Sequence, residues 1–166
     1  MLLLEAILNI NIDLIEIFII SMLPITELRF SIPYFILVEG LSWQKVFTVS
    51  IIGNILIGIL IVTIVGPIMN FFKKNYYLRR IINYIINRTK NKSKMIEIYK
   101  FLGLVLFIGI PAPFTGVWTG SLAAYLLSFE KKKSYLGIII GVMISATIVL
   151  IITLFVKELI SLIFDF

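Results

Sequence analysis

The chain has 166 residues, 60% hydrophobic and only 14% charged, with a net charge of +6. That balance excludes an ordinary soluble domain and describes a single integral membrane domain over residues 1–166. The absence of Cys and His excludes disulfides, thiolate or imidazole ligands and His general bases, so no metal, no cofactor and no enzymatic activity are expected.

Residues 1–13 place Glu5, Asn9 and Asp13 on one helical face, continued by Glu16. This reads as an amphipathic helix at the membrane surface; a carboxylate-lined proton or cation path is the alternative. No cleaved signal peptide is expected, because Glu5 stands where a basic leader would be.

Residues 14–70 form a first repeat. The apolar run Leu14–Leu23 is about half of the ~20 residues a spanning helix needs, and it stops at Pro24. Pro24-Ile25-Thr26-Glu27-Leu28-Arg29-Phe30-Ser31-Ile32-Pro33 then reads as a broken tip, followed by a second short helix from Ser31 to Val38. Val46–Asn70 is long enough to span, with Gly53, Gly58 and Gly66 as close-packing points and Asn54 as a polar group facing the interior.

Residues 71–100 interleave aromatic and Ile side chains with Lys and Arg. More than half of the 15 basic residues fall between Lys73 and Lys100. This predicts a cytoplasmic amphipathic helix and loop on anionic headgroups rather than a nucleic-acid interface. Residues 101–160 then repeat the first order: a short run Phe101–Ile110, a break at Pro111-Ala112-Pro113-Phe114-Thr115-Gly116-Val117-Trp118-Thr119-Gly120, a short helix Ser121–Phe129, a corner at Lys131–Lys133 and a span Tyr135–Val156.

A shift of 89 residues aligns Pro24 with Pro113, Thr26 with Thr115 and Leu37 with Leu126; a shift of 88 aligns Ile51-Ile52-Gly53 with Ile139-Ile140-Gly141. The expected fold is an all-α inverted repeat. Each copy is a re-entrant helical hairpin plus one transmembrane helix, and the basic amphipathic helix lies between the copies. One crossing per copy puts both basic clusters on the cytoplasmic side, as the positive-inside rule requires. Pro24, Pro33, Pro111 and Pro113 are expected to shape the tips.

Charges at bilayer depth mark functional positions by default. Glu27 and Arg29 either satisfy each other as a structural ion pair or form a site. In the second case Arg29 holds an anionic head group and Glu27 carries a coupling proton. Thr26, Thr115, Gly116, Trp118 and Gly120 complete the candidate substrate-binding set.

The two tip motifs resemble the small multi-drug export family, over about residues 12–160, and through it the DedA and SNARE-associated (VTT-domain) proteins. Phe114 stands where that pattern has a glycine, and Phe30 where it has a small residue. The resemblance implies opposed re-entrant hairpins and membrane transport, and the DedA likeness points to phosphate-bearing lipids such as undecaprenyl phosphate. The expected function is therefore a small secondary transporter of an anionic amphiphile in the bacterial inner membrane, with membrane lipids around it. Export of cationic drugs and a non-transporting, bilayer-shaping role are the alternatives. So little protein can hardly enclose a path, so a homodimer is expected.

Overall fold

The computed structural model describes residues 13–72, 94–113 and 115–164, and the secondary structure among them is helical. The expected helix over 1–13 therefore lies outside the described residues apart from Asp13, as do Phe114, Asp165 and residues 73–93 of the basic segment. Helix α1 covers 13–22. It is followed by α2 (Glu27–Leu37), α3 (Trp43–Phe72), α4 (Lys94–Gly109), α5 (Val117–Leu126) and α6 (Lys131–Phe164). Two helices, Trp43–Met69 and Lys131–Ile163, are long and apolar enough to cross a membrane. At 1.5 Å per residue, the 11-residue α2 is about 17 Å long, roughly half the thickness of a hydrocarbon core.

Three boundaries differ from the sequence expectation. Helix α2 starts at Glu27, not Ser31, and continues through Pro33. Proline removes one rung of the hydrogen-bond ladder there without ending the helix, so Pro33 is not a tip residue. Helix α5 starts at Val117, which moves Trp118 and Gly120 out of the break and into a helix. Residues 94–100, assigned above to the basic segment, are the first turns of α4.

The chain divides into two compact units, Met1–Asn54 with Met143–Phe166, and Ile55–Val142. Each has the same make-up: a pair of short helices, the first part of the long helix that follows them, and the later part of the other long helix. In the first unit Ile17, Leu28, Ile32, Phe35, Ile36 and Val46 are buried. In the second the buried set includes Leu104, Ile108, Val117, Ala124, Ile138 and Val142.

The same glycine serves both long helices. A Cβ on Gly53 would run into Ser21 Oγ of α1 and stand 3.0 Å from Phe18 O. A Cβ on Gly141 would stand 2.7 Å from Ile108 Cβ of α4 and 3.1 Å from Val105 O. Gly53 of α3 thus receives α1, and Gly141 of α6 receives α4, against bare backbone. Gly58 is also a packing point, with Val117 Cγ2 at 2.6 Å and Ile138 Cγ2 at 2.8 Å from its would-be Cβ. At Gly66 only Tyr125 Cε2, at 3.8 Å, comes near, so close packing does not account for that glycine.

Candidate functional site

A short helix that ends in an apolar medium must satisfy its last carbonyls from within the protein. Residues around the first tip do this for α1. Thr26 Oγ1 donates to Ile20 O at 2.5 Å, Asn54 Nδ2 donates to Ser21 O at 2.5 Å, and Glu27 N–H donates to Leu23 O at 3.0 Å. Asn54, 1% exposed, is interior as expected, but it caps α1 rather than standing alone. At the second tip Thr115 Oγ1 lies 2.9 Å from Ile110 O and 2.7 Å from Ala112 O, and its single proton serves one of them at a time. Thr26 and Thr115 therefore close matching turns, and their hydroxyl protons are committed to the backbone.

Positive backbone angles also fall at matching spacings, though not in the same conformation. Among the described residues four have positive φ: Glu27 (45°), Gly40 (66°), Gly116 (129°) and Ser128 (56°). Glu27 and Gly116 are 89 residues apart and start the second short helix of each pair; Gly40 and Ser128 are 88 apart and end it. The left-handed Gly40 lets Leu41 N–H reach back to Phe35 O at 2.9 Å, finishing α2 before α3 begins.

One member of the first pair is anomalous. Gly116 holds a conformation open in practice only to glycine, whereas Glu27 holds positive φ with a full side chain that is 6% exposed. Sequence reasoning found this carboxylate by its charge. Its backbone setting has no signature in a single sequence.

Helix α2 starts at Glu27, so both charged residues lie in its first turn. Glu27 and Ser31 share the buried face, where Ser31 Oγ meets Ser50 Oγ of α3 at 2.9 Å. Half-buried Arg29 lines an open groove of ≈400 Å³ along the other side of α2, with Thr26, Phe30, Pro33, Tyr34 and Leu37. Phe30 and Tyr34 stack in its wall, ring centroids 5.3 Å apart and planes within 15°. The groove presents one guanidinium near its tip end and an aromatic and aliphatic wall beyond, which suits an elongated molecule with a single charge. Phe30, Tyr34 and Leu37 are members that sequence reasoning did not assign to the site, and Pro33 was expected only to shape the tip; the 30–33–34–37 periodicity would have revealed them once Pro33 was read as helical.

The second tip is used differently. A Cβ on Gly120 would collide with Ile108 of α4, with Cδ1 at 2.8 Å, so this glycine packs α5 on α4 rather than admitting a ligand. Gly116 supplies backbone conformation, and Trp118 lies half-buried in the first turn of α5.

Paired short helices and two long apolar helices make this a small helical membrane protein. Residues 27–148 match the family described as Putative small multi-drug export protein, and the chain belongs to that family. Nothing among curated proteins or solved structures matches it.

Proposed function

We propose that the protein is a small secondary transporter that moves an anionic amphiphile, coupled to protons through Glu27. The observation that carries this reading is Glu27 itself: a carboxylate buried at a position whose repeat counterpart is glycine. A buried carboxylate is costly unless its charge can be neutralised or paired, and changing that state is how a coupling group works. The groove beside it supports the substrate class, since Arg29 offers a planar fork to phosphate or carboxylate and the Phe30–Tyr34 stack offers apolar wall. A phosphate-bearing lipid of the polyprenyl type has both features. In this reading Trp118 takes part through the second hairpin, and Thr26, Thr115, Gly116 and Gly120 hold the tips in shape.

The short helix pairs are proposed to be re-entrant hairpins of an inverted repeat, in a multi-pass protein of the bacterial inner membrane that works as a homodimer and performs no catalysis. The matched make-up of the two units and the satisfied carbonyls at the end of α1 support that plan.

Export of cationic drugs is the second reading, favoured by the family's description and by the aromatic stack, which can receive a flat cation. Proteoliposomes carrying a fluorescent short-chain polyprenyl phosphate separate the two. Head-group translocation by the wild type, faster under a pH gradient and lost in Arg29→Ala, is the expected result. Full transport in both Arg29→Ala and Glu27→Gln would overturn it. Faster efflux of a cationic dye in Arg29→Ala, with no movement of the lipid phosphate, would select the drug reading.

A further inference from the structure

A second cleft lies within the Ile55–Val142 unit, along the later half of α3. It encloses ≈340 Å³ between Thr63, Gly66 and Pro67 of α3, Tyr125 and Phe129 around the end of α5, and Lys131 at the start of α6. Its size falls in the range of small-ligand sites, and its wall is mainly apolar. Two features of the sequence open it: Gly66 has no side chain to fill the space, and Pro67 follows directly. Thr63 is tied back, its hydroxyl donating to Ile59 O at 2.7 Å and lying 3.0 Å from Tyr135 Oη, so that wall is fixed rather than loose.

The rim carries charge of one dominant sign. Exposed Lys131 lines the cleft, and exposed Lys132 follows it. A smaller adjoining recess, sharing Ser128 and Phe129 with the cleft, is bordered by Lys100 and Lys133. Among the described residues there, the one acid is Glu130, 74% exposed and 3.7 Å from Lys133 Nζ. The first turn of the 34-residue α6 adds the positive end of its dipole at the same place.

We propose that this cleft is a binding site for an anionic phospholipid of the bilayer. The phosphate sits against Lys131 and the start of α6, and an acyl chain lies in the slot that Gly66 and Pro67 leave in α3. An apolar slot with a basic rim beside a long apolar helix fits a lipid with a charged head better than a soluble anion, which has nothing to place in the slot. The inference does not rest on transport or on the Arg29 groove.

The test is lipid retention. Protein taken from vesicles of equal phosphatidylglycerol and phosphatidylcholine is stripped with mild detergent, and the lipids that stay bound are counted by native mass spectrometry. The wild type is expected to retain phosphatidylglycerol selectively and to keep it in excess inorganic phosphate. Lys131→Gln, a change at an exposed side chain, lowers that selectivity about fivefold. Gly66→Leu, whose Cβ meets nothing closer than 3.8 Å, fills the slot and lowers retention of both lipids. Lys45→Gln, the same change at an exposed lysine of α3 outside the cleft, leaves the pattern unchanged. Equal retention of the two lipids by the wild type, full displacement by phosphate, or selectivity lost in Lys45→Gln but kept in Lys131→Gln would each overturn the proposal.

Discussion

Glu27 combines two unfavourable features at one residue. Positive φ on a side-chain-bearing residue costs about 1–3 kcal/mol, and a carboxylate 6% exposed gives up most of its hydration. If the carboxylate were there only to hold the tip, removing it would weaken the fold. If it is retained for coupling, removing it should make the tip easier to form. Glu27→Gly is therefore expected to unfold in detergent at or above the wild-type temperature, while gradient-driven transport falls to background. Glu27→Gln keeps the side-chain shape and the strained backbone, so it should lose coupling with little change in melting. A Glu27→Gly protein that melts far below wild type would assign the carboxylate to structure and remove the main support for proton coupling.

Among the elements, the decisive problem is how a short helix ends without water. Asn54 solves part of it for α1 by donating to Ser21 O from a fully buried position. Asn54→Leu keeps the volume and removes the donor, leaving a buried carbonyl without this bond. It is expected to cost about 1–3 kcal/mol, read as a lower unfolding midpoint, with Asn54→Gln no adequate rescue because its amide sits one methylene too far. Equal melting of Asn54→Leu and wild type would mean that Ser21 O finds another donor at no cost. In the second unit the contact of α5 with α4 depends on Gly120 meeting Ile108. Gly120→Ala overpacks this contact and Ile108→Ala opens a void. The double variant removes the clashing Cγ1 and Cδ1 atoms, so its loss should be smaller than the sum of the single losses by about 0.5–3 kcal/mol. Additive losses would show that the two residues do not share that space.

These details also explain what the sequence revealed and what it hid. The order of short helix, break, short helix and long helix was legible from Pro24, Pro111 and Pro113 and from run lengths too short to span. Start points were less legible, because Pro33 and Gly120 look like breakers in one dimension. In the fold one is absorbed inside α2 and the other is a packing contact. The charged pair announced itself; the groove did not, because its wall exists only once the phase of α2 is fixed.

At the scale of the whole molecule, the question is which side of the membrane each end of the long helices occupies. At about 17 Å, α2 is too short to cross, so in the proposed re-entrant pair the chain should return after α2 to the side from which α1 entered. On the proposed topology α3 then carries it across to the side of the basic cluster, and α6 carries it back. The absence of native cysteine makes this directly measurable, because every introduced thiol is the only one present. Gln44→Cys, exposed at the start of α3, is expected to react with a membrane-impermeant maleimide added outside intact cells. Lys132→Cys, exposed at the start of α6, should react only after the membrane is opened. Ile25→Cys, at a tip position 94% exposed within the chain, should react slowly from either side, because a re-entrant tip sits at bilayer depth. Labelling of Gln44→Cys and Lys132→Cys from the same side would require an even number of crossings between them. That result is incompatible with α3 as the single crossing between the two helix pairs, and the inverted-repeat plan would fall with it.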